Sequence, residues 1–149
     1  MAQTYFGSTL RAGSGTLTDT VDGGFVVMMQ TATVTTASAG TATSVTQVLP
    51  AGSQIINIFI DTVVDEVVGG GTATAISATV GTAAAGTQYV SSIDVFAGGR
   101  FAPTFTTAQL AAMADIGTNT NVVFTVDPNG TISTTQGVYR MTVTYAQKV

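Results

Sequence analysis

Read for alternation, the chain divides into short β-type segments separated by glycine-rich turns. The clearest segment comes last. Tyr139, Met141, Val143 and Tyr145 face one way and Arg140, Thr142 and Thr144 the other, the period of two expected of a strand with one buried face. Val122, Phe124 and Val126 alternate in the same manner, as do Thr74, Ile76, Ala78 and Val80. Val45, Gln47 and Leu49 alternate with Ser44, Thr46 and Val48 up to a stop at Pro50-Ala51-Gly52. Tyr89, Ile93 and Val95 mark a further strand, which ends at Gly98-Gly99. Residues 25–29 lead into 31–36, a stretch rich in β-branched side chains and therefore strand-like. The most apolar run is 55–61. Strict alternation puts Ile56, Ile58 and Ile60 on one face and Ile55, Asn57, Phe59 and Asp61 on the other, as in a central sandwich strand.

One segment departs from this period. Between Pro103 and Gly117, Thr106-Thr107-Ala108-Gln109 has the spacing of a capping box, followed by Leu110, Ala111, Met113 and Ala114. It predicts a short helix near residues 107–115. Asp127-Pro128-Asn129-Gly130 predicts a hairpin turn ahead of the last strand. Ahead of the strands, Tyr5-Phe6 precedes a run of Ser, Thr and Gly that ends at the turn signal Asp22-Gly23-Gly24. Residues 1–20 therefore read as an N-terminal arm, a candidate docking element, and 21–149 as the folded domain. The prediction is all-β: an antiparallel β-sandwich or jelly roll of about eight strands with one short helix. At 149 residues this is one domain, and no fixed-period repeat points to a solenoid or propeller.

Composition narrows the chemistry. There is no Cys, His or Trp, charged residues make up only 8%, and roughly one residue in five is Thr. Without His and Cys, the usual general base near neutral pH and the usual zinc and copper ligands are both missing. The expectation is a protein that is not an enzyme, with no catalytic residues, cofactor or metal. Net charge is −4, and the four basic residues, Arg11, Arg100, Arg140 and Lys148, are scattered singly. No patch exists to neutralise phosphates, so nucleic acid is not an expected partner. The longest apolar stretches are interrupted by Asn57, Asp61, Asp65 and Glu66 and are too short for a membrane span, and the N-terminus shows no signal-peptide pattern. A mean hydropathy of +0.43 then implies strands buried on both faces or an apolar surface covered in an assembly.

The candidate sites are few. Asp61, Asp65 and Glu66 form the densest acidic cluster, but alternation separates Glu66 from the other two, and the cluster reads as a solvated strand end rather than a carboxylate pair for hydrolysis. Asp19 and Asp22 lack the ligand count of a Ca²⁺ loop. Gly69-Gly70-Gly71 has no Lys to make a phosphate loop, and Asn129-Gly130-Thr131, though a glycosylation sequon, reads as a turn. Apolar side chains in unexpected places carry more. At least one of Met28 and Met29 must face outward in a regular strand, and Phe101 and Phe105 flank Pro103 in an expected loop. With Tyr5 and Phe6 these are the candidate protein-interface residues, since Met and aromatics are enriched at interfaces.

Three stretches carry a family resemblance: Leu49-Pro50-Ala51-Gly52 leading into the apolar strand to Asp61, Thr74 onward to Val80-Gly81, and Tyr89 through Arg100. Over roughly residues 45–149 the chain resembles small virion proteins of tailed bacteriophages, many of them capsid decoration (cement) proteins. That resemblance implies a jelly-roll-like subunit that binds the outer face of the head lattice as a dimer or trimer, with the major capsid protein and itself as partners. The alternatives are a tail, adaptor or fibre component, or a glycan- or receptor-binding sandwich. The lack of Trp counts against the last.

Overall fold

The structure, a computed structural model, describes residues 11–12, 15–16 and 25–148, with side chains from 26 to 147. Most of the predicted arm, including Tyr5 and Phe6, lies outside the described residues, as do Asp19 and Asp22. Of the arm only the backbone of β1 (Arg11–Ala12) and β2 (Gly15–Thr16) is described, and the two pair with each other.

Eight strands form two four-stranded antiparallel sheets. They are β3 (Phe25–Thr35), β4 (Thr43–Val48), β5 (Gln54–Val64), β6 (Ile76–Gly81), β7 (Val90–Asp94), β8 (Arg100–Phe101), β9 (Asn121–Pro128) and β10 (Val138–Lys148). The first sheet runs β3-β10-β5-β8 and the second β4-β9-β6-β7. Successive strands from β3 to β6 alternate between sheets, and the last two lie between earlier ones. This is the double Greek key of a jelly roll, and the predicted fold class is the observed one.

Alternation holds where it was clearest. Tyr139, Met141, Val143 and Tyr145 are fully buried, as are Val122, Phe124 and Val126 from the facing sheet and Ile76, Ala78 and Val80 beside them. These rows meet between the sheets and make one core. The helix α1 (Thr107–Ala114) links β8 to β9. Thr106 accepts a hydrogen bond from the Gln109 amide, and the Gln109 side chain accepts one from the Thr106 amide, so the capping box forms as its spacing predicts. Met113 and Ile116 anchor this connection in the core.

Two local predictions are corrected. Ile56 does not share a face with Ile58 and Ile60. Thr144 pairs with Asn57 but Tyr145 pairs with Ile55, so Ile56 is the extra residue of a β-bulge. Ile55 and Ile58 are therefore both buried and Ile56 is 47% exposed. The Asn57 side chain accepts from the Ile58 amide at 2.8 Å inside this irregularity. Nor does Asn129-Gly130 turn a hairpin, because β9 and β10 belong to different sheets. Asn129 Oδ1 instead accepts from the Thr74 and Ala75 amides, at 2.7 and 2.9 Å. A Cβ on Gly130 would lie 2.7 Å from the Thr72 carbonyl carbon and 2.8 Å from the Ala73 nitrogen. Glycine is needed there for close backbone approach, not for a positive φ.

The bulge sets a sharp contrast between neighbouring isoleucines. Ile58→Ala should cost about 2–5 kcal/mol of stability through the cavity it leaves. Ile56→Ala should change stability by no more than about 0.5 kcal/mol, as surface substitutions do. Urea unfolding of the two variants measures the difference, and equal losses would mean that the strand keeps unbroken alternation.

Candidate functional site

The two sheets present different outer faces. In the second sheet the outward residues of its inner strand β9, Val123 and Thr125, are themselves buried. The Ala85 amide, from the loop joining β6 to β7, donates to Thr125 Oγ1 at 2.9 Å and closes over that strand. Among the described residues nothing comparable covers the outer face of the first sheet. On β3 it exposes Val27 (61%) and Met29 (69%), followed by Thr31, Thr33 and Thr35. Ile56 stands out from β5, and Val63 and Val64 are exposed at that strand's end.

Across this face runs one row of charge. Pairing aligns Thr33, Arg140, Asp61 and Arg100 on β3, β10, β5 and β8. Arg100 donates from Nε to Asp61 Oδ1 at 2.6 Å and from Nη2 to Oδ2 at 3.2 Å, while Arg140 Nη2 donates to Oδ2 at 2.8 Å. The Arg100 guanidinium also stands 5.8 Å from the centre of the Phe59 ring, within cation–π range. Asp61 is consequently buried beneath two arginines and is no solvated strand end. The hydrogen bonds from Arg100, then those from Arg140, lower its pKa from 3.8 to about 2.

The other two acids of that cluster go elsewhere. Asp65 is exposed, and Glu66 accepts a hydrogen bond from the Tyr139 hydroxyl. Burial raises the Glu66 pKa against the lowering effect of that bond. Burial, reinforced by the bond to Glu66, raises that of Tyr139. Among the described residues no three Asp or Glu side chains gather where they could hold a metal ion, and no helix is long and apolar enough to cross a membrane. An open groove of about 360 Å³ lies between α1 and the start of β7, lined by Thr87, Ser91 and Gln109 among others. The Gln109 amide is already committed there, donating to the Thr87 carbonyl and to Ser91 Oγ.

The candidate interface residues do not form one patch. Met28 and Met29 are both exposed on β3, at one edge of the first sheet. Phe101 is at the opposite edge. It is not in a loop but in β8, paired with Ile60, and both it and Phe105 are half-buried against the core. Val27 and Ile56 belong with Met29 and escaped sequence reasoning. Val27 carried a signal, its place in the uninterrupted apolar run Phe25–Met29, whereas the outward turn of Ile56 depends on the bulge.

The same fold occurs in a chain of the cyanophage Pam1 capsid asymmetric unit, with a TM-score of 0.53 and 20% sequence identity over 91% of this chain and 94% of that one. No family model and no curated protein matches the chain. At that identity the likeness is one of fold, shared by two chains of nearly equal length.

The charge row generates a pH prediction. A carboxylate whose folded pKa lies below its unfolded value contributes stability above the unfolded value and loses it as pH falls towards the folded one. Asp61 should therefore contribute fully above pH 3.8 and cease to contribute as pH approaches 2. Glu66 has the opposite sign, contributing below 4.5 and less as pH rises through its raised folded value. Melting temperatures from pH 6 to pH 2, roughly the span over which acid unfolding develops, should fall less steeply at the acid end in Asp61→Asn. An Asp61→Asn profile parallel to the wild type would show that the arginines do not hold the carboxylate in solution.

Proposed function

We infer that this chain is a non-enzymatic structural protein of a bacteriophage virion, which binds the outer surface of the head and stabilises the major capsid lattice. The observation that carries the reading is the fold correspondence, end to end, with a capsid chain of nearly the same size. The first sheet gives the reading a mechanism. Its outer face combines exposed Val27, Met29 and Ile56 with hydroxyl-bearing threonines and a charge row already neutralised in part by Asp61. Covering what remains exposed of one such aliphatic side chain contributes about half of the roughly 1.5–3 kcal/mol for complete burial, and the threonines add hydrogen bonds without the desolvation cost of unpaired charge. A weak contact of this kind, repeated by an oligomer spanning several lattice positions, becomes strong through effective concentration.

Protein quantification of purified virions tests the role. A decoration protein should be present in numbers comparable to the major capsid protein. A handful of copies per particle would instead indicate a tail or adaptor component, and absence from the particle would overturn the virion reading.

The docking face has its own test. Ile56→Lys places a charge in the apolar area, separated by β10 from the β3 edge. It should leave the melting temperature nearly unchanged and weaken binding to heads lacking this protein by about tenfold or more, the equivalent of about 1.4 kcal/mol. Undiminished binding would remove this face from the contact.

A further inference from the structure

We propose that β3 is a self-pairing edge: two copies of the chain join β3 to β3 antiparallel about a two-fold axis near Gln30, making one continuous eight-stranded sheet. The proposal stands on the edge itself and does not depend on the capsid reading.

A strand at the edge of a sheet presents a row of unpaired amides and carbonyls, and folded proteins ordinarily blunt such edges with brevity, charge, proline or a bulge. The two four-stranded sheets have four edge strands, and the three besides β3 are shorter. β8 is two residues long and β4 six, while β7 has five, a register irregularity against β6 and Asp94 at its end. β3 uses none of these devices. It runs eleven residues, pairs with β10 without a register shift and contains neither a charged residue nor a proline. At about 3.4 Å per residue it offers an edge on the order of 35 Å long.

The composition of that edge selects a second copy as its occupant. A two-fold contact sets residues close to the axis against themselves or near neighbours, so any charge there repels its own copy. Phe25–Thr35 has no such charge in a molecule of net charge −4. The hydrogen-bonding row of an antiparallel edge also complements its own rotated copy along its whole length, which no unrelated strand is bound to do. With Gln30 at the axis, Met29 of one copy faces Thr31 of the other, and Val27 faces Thr33. The exposed aliphatic side chains of the two copies then lie across one seam on the outer face.

The test is the mass of the full-length protein by sedimentation equilibrium at micromolar concentration. The wild type should weigh twice the 15.0 kDa chain. Thr31→Lys, which brings two ammonium groups close at the seam, should give a monomer with an unchanged far-UV circular dichroism spectrum. Val48→Lys, also an exposed position but on the other sheet, should leave the dimer intact. Amide hydrogen exchange provides a measurement without a variant, since β3 amides should exchange more slowly as concentration rises and the dimer fills. A monomeric wild type overturns the proposal, as does an oligomer indifferent to Thr31→Lys with concentration-independent exchange in β3. So does a chain that dimerises through β3 only after residues 2–18 are removed, because its own N-terminal segment would then be the occupant.

Discussion

β10, which ends the described chain, lies between β3 and β5 and supplies the row on which both sheets close. Tyr139, Met141, Val143 and Tyr145 are fully buried along it, and its opposite side carries Arg140, Thr142 and Thr144. Without β10 the first sheet has no centre, and the core rows of β9 and β6 face an open gap. The constraint is topological as well as energetic, because β10 pairs with residues over a hundred positions earlier in the chain. Such a closure bears its loop entropy before the contacts that offset it form. The chain meets this cost with long regular pairing rather than covalent staples, having no cysteine at all.

The same strand organises the outer face. Because Arg140 projects outward beside Asp61, and Arg100 reaches the same carboxylate from β8, two of the four basic residues meet at one acid. Such partly exposed pairs contribute little to stability on average. Their effect here is on the character of the face: the carboxylate is desolvated and paired, and what remains exposed is aliphatic and hydroxylic side chains beside the outer parts of two guanidinium groups. On the second sheet the loop between β6 and β7 covers β9 and removes the equivalent surface. The two faces of the sandwich are thus chemically unlike, and the open one is suited to broad contact rather than to chemistry.

What was legible in the sequence was local. Period-two rows specified the strands, and the Thr106–Gln109 spacing specified the helix start, because alternation and capping depend on neighbours a few residues away. What escaped reading depends on distant partners. The outward turn of Ile56 follows from how β10 is spaced opposite it, and nothing in 55–61 announces the bulge. Asp61 could not be recognised as an ion-pair centre, since its arginines lie 39 and 79 residues further along. Asn129-Gly130 has the composition of a hairpin turn but serves a crossing between sheets, where Asn129 caps the backbone of 74 and 75 and Gly130 lets two loops touch. Met28 and Met29 could be expected to show an exposed side chain from strand geometry. That this exposure continues onto a whole sheet face required the topology.

The account centres on the first sheet's outer face as the surface covered in an assembled particle. The most direct measurement is oxidative footprinting of methionine, comparing the isolated protein with the same protein in intact virions. Met113 and Met141 are buried in the core and act as internal standards, while Met29 is 69% exposed on the face in question. The account predicts that Met29 oxidises readily in the isolated protein and is shielded in the virion, with Met113 and Met141 slow in both. Equal oxidation of Met29 in both states would contradict it.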